Sequence, residues 1–136
     1  MRIVVGYLQS PEGQAALEHG IAEARLRGGE LLVVHSLRGS GREDGEEMLA
    51  YREELEQVGE RLRGEGLSVE IRELERGRPA GDDLVELARD EGADLIVIGI
   101  RRRSPVGKLV LGSNAQDVLL GADCPVLAVK PADDEE

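Results

Sequence analysis

Short aliphatic runs alternate with helical patterns along the whole of this chain, and that alternation leaves few folds open to it. Residues 2–8 (RIVVGYL), 31–37 (LLVVHSL) and 95–99 (LIVIG) are apolar with almost no interruption, as strands buried on both faces are. Residues 67–74 (LSVEIREL) alternate apolar and charged, the pattern of an edge strand with one wet face. Residues 125–130 (PVLAVK) supply a fifth strand. Between the first two, Ser10-Pro11 marks a helix start, Leu17, Ile21 and Ala24 recur at helical spacing, and Gly28-Gly29 stops the pattern. Met48, Tyr51, Leu55, Val58 and Leu62 form one apolar stripe that ends near Gly64 and Gly66. Pro79 opens a third helix through Leu84, Leu87 and Ala88, stopped at Gly92, and Ser113 opens a short fourth with Val118 and Leu119 facing inward. The order βαβαβαβαβ implies a parallel sheet with right-handed crossovers, in which the first, second and fourth strands are central.

The core of such a sheet must be aliphatic here. Among 136 residues there are two Tyr and no Phe or Trp, which also argues against readers that stack nucleic-acid bases. A formal net charge of −11 repels polyanions, so neither nucleic acid nor an anionic membrane is an expected partner. Cys124 is the only cysteine, the N-terminal residues show no signal-peptide pattern, and no apolar run approaches a membrane span. The expectation is one cytoplasmic domain over residues 1–131, with an acidic tail at 132–136.

One segment runs against the acidic background. After Gly99, a loop carries Arg101, Arg102, Arg103 and Lys108 with no acid, and closes on Gly112-Ser113 where the fourth helix begins. A strand, a cationic loop and a helix N-terminus together suit a phosphate, because main-chain N–H groups and the helix dipole favour an anion there. A Walker A loop does not fit: Arg102 and Leu109 stand where it needs Gly and Ser or Thr around Gly107-Lys108. A dinucleotide fingerprint fails too, with only Gly6 and Gly13 near the first turn. The strand ends Tyr7-Leu8-Gln9 and Leu74-Glu75-Arg76 cannot build the acidic cluster of a phospho-relay receiver.

The remaining frame resembles the universal stress protein family, through RIVVGY…SPEGQAAL, GRPAGDDLVELA and DLIVIGIRRRSPVGKLVLGSNAQDVLLGADCPVLAVK. The resemblance implies an α/β fold, adenine-nucleotide alpha hydrolase-like, with a five-stranded parallel sheet of order 3-2-1-4-5 and helices on both faces. It implies a homodimer through the last strand, residues 126–130, which opens on Val126 and closes on Lys130. In one branch it implies ATP or a related adenine nucleotide, with Mg2+ alongside, held by G-x2-G-x9-G-[ST]. Gly99 fits the first Gly, and Gly112-Ser113 fits the last pair after nine residues, 103–111. Arg102 takes the second Gly position, and Leu8 aligns with an Asp that would hold a sugar or base edge. The implied nucleotide site is Gly99, Arg102, Arg103, Gly112, Ser113 and Asn114, with Val5, Val33 and Val34 walling the base.

Other candidates have plainer explanations. His35 sits in a strand pattern as a packed residue, His19 lies on an exposed helix face, and the two do not make a metal site. Cys124, just before Pro125, suits packing at a strand entry better than nucleophilic chemistry. Three functions stay open at this point. The chain is a regulatory nucleotide-binding dimer, a dimeric interaction module without nucleotide, or a weak ATPase or autophosphorylating protein, with Ser104 or Ser113 as the phosphorylated residue.

Overall fold

A strand that is apolar on both faces must be covered on both sides, and the chain achieves this around its first strand. The computed structural model describes residues 1–7, 11–36, 45–74, 80–100 and 113–131. Its elements are β1 (Arg2–Tyr7), α1 (Pro11–Arg27), β2 (Glu30–Ser36), α2 (Gly45–Gly64), β3 (Ser68–Leu74), α3 (Ala80–Glu91), β4 (Leu95–Gly99), α4 (Ser113–Gly121) and β5 (Val126–Val129). The five strands form one sheet in the order β3-β2-β1-β4-β5, every neighbouring pair parallel. Fold class, strand order and the edge position of β3 are those expected from the sequence.

Alternation along each strand divides the core in two. Ile3, Val5, Leu31, Val33 and Val97 pack with Ala16, Leu17 and Ala24 of α1 and with Leu55 and Leu62 of α2. Val4, Leu32, Val34, Ile96 and Ile98 pack with Leu84, Val85 and Ala88 of α3 and Val118 of α4. Helices therefore cover both faces. The Leu55–Val58–Leu62 part of the α2 stripe lies on the first half-core; the side chains of Met48 and Tyr51 fall outside the described part. Leu119 corrects the expected inward face of α4. Val118 is buried, with Ala115 and Ala122 packed beside it, while Leu119, one residue and 100° further round the helix, turns out to solvent.

Three helices stop by one mechanism. Gly28, Gly66 and Gly92 have φ of 68°, 96° and 68°. The next amide in each case reaches back to a carbonyl five residues earlier: Gly29 to Ala24, Leu67 to Leu62 and Ala93 to Ala88, at 2.9, 3.0 and 2.9 Å. Glycine takes the left-handed backbone that this cap requires without a Cβ clash.

The outward face of β3 is more organised than a simple wet face. Arg72 bonds Glu70 and Glu91, each at 2.7 Å. Glu91, at the end of α3, also bonds Arg2 at 2.7 Å, and Arg2 bonds Glu30 at 3.0 Å. A charged ladder thus runs across β3, β2 and β1 under the end of α3. The Arg72 hydrogen bond holds the Glu91 carboxyl below the usual carboxylate range, against a smaller desolvation effect, and Arg2 adds to the lowering. A depressed folded-state value stabilises the fold above the ordinary carboxylate range, and that contribution is lost as pH falls through the depressed value. Glu91→Gln is therefore expected to lower the melting temperature at neutral pH. The gap from wild type should close as pH is lowered through the carboxylate range. A gap that stays constant with pH in thermal melts would show that charge is not the basis of this contact.

Candidate functional site

In a parallel sheet every crossover helix begins at the carboxyl edge, so the positive dipole ends of α1, α3 and α4 gather on that side. β1 and β4 are neighbours in register, Val5 opposite Val97. The chain leaves β1 for α1 on one face and β4 for α4 on the other. The gap between β1 and β4 is thus the topological switch point, where open sheets of this kind hold ligands.

Gly99 sits at the end of β4, at that gap. A Cβ on Gly99 would lie 2.0 Å from the Glu12 carbonyl oxygen and 2.5 Å from its carbon, so α1 starts with its main chain against the end of β4. Across the gap α4 starts at Ser113, and the next residue, Asn114, accepts a hydrogen bond from the Gly81 amide of α3 at 3.0 Å. Ser113 and Asn114 are thus at a helix start, as the sequence predicts. Arg101, Arg102, Arg103, Ser104, Lys108, Gly112 and Leu8, together with the side chain of Ser113 and the tail at 132–136, lie outside the described residues.

The three valines expected to wall a base are not brought together. Val5 and Val33 face α1 and α2, whereas Val34 faces α3 and α4. Adjacent strand residues point to opposite faces, so Val33 and Val34 cannot line one wall. The period of two already carried this information. Val5 is also fully covered, since a Cβ on Gly20 of α1 would come within 2.4 Å of its Cγ2.

Two positions matter that the sequence pattern does not single out. Tyr7, the last residue of β1, is buried and paired in register with His35 of β2. The Tyr7 hydroxyl accepts a hydrogen bond from Gln14 Nε2 at 2.8 Å, which ties the end of β1 to the first turns of α1. Burial pushes the Tyr7 phenol up, with Glu54 adding to the shift. The second position is Gly81; a lone glycine in the first turn of a helical pattern is the available signal of a close approach.

His35 is buried, as expected of a packed residue, and burial pushes its imidazole down; Glu73 and Glu56 pull it up and Arg52 pushes it down. His19 is exposed on α1, its Nδ1 3.1 Å from the Ala15 carbonyl oxygen. Cys124 packs half-buried against the second half-core, and its thiol is pushed up by burial and by Asp123 and Asp94. That environment suits packing and disfavours the reactive thiolate. A groove of about 260 Å3 between α3 and α4 is lined by Asp82, Glu86 and Asp117 with Arg89, so acids outnumber the cation and an anion is disfavoured there. Among the described residues no helix is long and apolar enough to cross a membrane.

The family model for universal stress proteins matches residues 1–130. The chain belongs to the universal stress protein family. A universal stress protein of Mycolicibacterium smegmatis is 46% identical over 129 residues, which is 95% of this chain and 97% of that one. A solved universal stress protein from Archaeoglobus fulgidus is 44% identical, with a TM-score of 0.77 over 96% of this chain and 98% of its own. A second structure from that organism, a universal stress protein in complex with dAMP, is 38% identical, with a TM-score of 0.71 and the same coverage. The fold shared with such structures is the nucleotide alpha hydrolase-like sheet described above.

The first Gly of the family frame thus has a packing role that is visible without any ligand. Gly99→Ala sets a Cβ against main-chain atoms that cannot swing aside. It should destabilise the protein by about 1–3 kcal/mol, the usual range for overpacking. Urea denaturation of the variant measures this directly, and unchanged stability would mean that the α1 start yields easily.

Proposed function

We propose that this universal stress protein is a regulatory dimer that holds an adenine nucleotide across the β1–β4 gap. The observation that carries the reading is the dAMP complex of a relative 38% identical over 96% of this chain. The Gly99…Gly112-Ser113 frame, whose two ends fall at the end of β4 and the start of α4, supports it.

Main-chain N–H groups of Gly112, Ser113 and Asn114 take phosphate oxygens, because a first helical turn has no carbonyl partners of its own. Arg102 and Arg103 neutralise phosphate charge in a chain that is otherwise strongly acidic. Of the three valines offered as a base wall, only Val5 and Val33 share a face. The proposed ligand is ATP or a related adenine nucleotide, and Mg2+ would accompany the phosphates of ATP. A single cysteine with a raised thiol value needs no oxidising compartment, which fits the cytoplasm.

The dimer forms through β5. That strand ends the sheet, with Leu127 half-buried and Ala128 exposed. An apolar edge of this kind requires cover, and a second copy of residues 126–130, from Val126 through Lys130, supplies it.

Native mass spectrometry of the protein as purified tests both parts together. The expected result is a dimer that carries, or takes up, one adenine nucleotide per subunit. A dimer that stays empty in millimolar ATP would favour a dimeric interaction module instead. Leu8 bears on ligand choice as well. A leucine offers no acceptor to a ribose hydroxyl, so AMP and dAMP should bind within about three-fold of each other in calorimetry. A ten-fold or larger preference for AMP would place a ribose-reading group elsewhere in the site.

A further inference from the structure

The starts of α3 and α4 are in main-chain contact. Gly81, the second residue of α3, is buried. A Cβ there would lie 2.6 Å from the Asn114 carbonyl oxygen, 3.0 Å from its Cα and 2.9 Å from Asp117 Cβ. No side chain fits between the helices, and the Gly81 amide instead donates to Asn114 Oδ1 at 3.0 Å. That amide belongs to the first turn of α3, where no carbonyl of the helix can reach it. A capping oxygen usually comes from the residue just before a helix. Here it comes from a residue 33 positions later, on the neighbouring helix.

Asn114 also carries a main-chain N–H in the first turn of α4, as the second residue of that helix, where no carbonyl of the helix itself can reach it. One residue therefore stands at two helix starts, with its side chain on α3 and its main chain at the phosphate end of the frame. We propose that Asn114 is a positioning residue that couples phosphate binding at the start of α4 to the seating of α3. The proposal rests on the nucleotide reading above. Asp82 and Asp83 already balance the dipole of α3 in its first turn, so α3 contributes position to the site and little charge. An anion that fixes the first turn of α4 also fixes Asn114, and with it the Gly81 bond. By reciprocity, loss of the Oδ1 acceptor loosens the turn that the phosphate needs.

The test uses the full-length 15N-labelled protein with AMP and adenosine as probes. Saturating AMP should slow hydrogen exchange at the Gly81 amide by about five-fold or more, although Gly81 itself is on another helix. Asn114→Ala should abolish that slowing and weaken AMP about five- to ten-fold, while adenosine changes less than about two-fold. Asn114→Asp keeps an acceptor for Gly81 but adds a negative charge. It should preserve Gly81 protection in the free protein and still weaken AMP, which separates the cap from the charge. The proposal is overturned if AMP leaves Gly81 exchange unchanged, or if Asn114→Ala weakens AMP and adenosine alike. Wild-type protein that takes up neither AMP nor ATP would overturn the nucleotide reading itself, and the coupling with it.

Discussion

Burial of β1 on both faces is the constraint from which the rest of the molecule follows. Ile3, Val4 and Val5 have no solvent exposure, although they are consecutive and point alternately up and down. Only a strand with a neighbour on each side and a helix layer above and below can satisfy that. β2 and β4 supply the neighbours, α1 and α2 one layer, and α3 and α4 the other. Since the helix after β1 and the helix after β4 must then lie on opposite faces, their starts separate at the carboxyl edge. The gap at the switch point is a by-product of covering the central strand.

Close approach of main chain to main chain shapes that gap. At Gly99 the start of α1 presses against β4, and at Gly81 the start of α3 presses against α4. Glycine is needed at both places for want of room, whatever its backbone angles. The carboxyl-edge gap therefore has its geometry set by main-chain packing.

Much of this architecture was legible in the residue order. Unbroken aliphatic runs marked β1, β2 and β4 as inner strands, and alternation in 67–74 marked β3 as an edge. The glycines at 28, 66 and 92 fell at helix ends because the cap requires their backbone. The site was legible only in part. Of the Gly99…Gly112-Ser113 frame, Gly99 falls at the end of β4 and Ser113 at the start of α4, while Gly112 lies outside the described residues. Apolar character alone groups Val5, Val33 and Val34, but the two-residue period sends Val34 to the other face. Leu119 failed for the matching reason on a helix, where one step turns a side chain by 100°. Gly81 is legible as a lone glycine at a helix start, but its partner, Asn114, is not, because it lies 33 residues away in the chain. The β3 ladder likewise joins Arg2, Arg72 and Glu91, which no local pattern links.

The sheet order also sets a schedule for synthesis. The first strand made is the one that ends up in the middle. Its N-terminal end is held by Asp94, whose carboxylate accepts the Arg2 amide at 2.8 Å across a separation of 92 residues. While the chain emerges from the N-terminus, β1 can pair with β2 and gain cover from α1 and α2, but its other edge stays open until β4 follows. For most of translation the half-built sheet presents an unpaired apolar strand, the kind of edge that recruits other chains. The interval closes only when residues 95–99 leave the ribosome, and non-local pairing of this sort is intrinsically slow. A protein with this strand order therefore depends on what shields its first strand during those ninety residues (on the order of 5–20 s at ordinary synthesis rates).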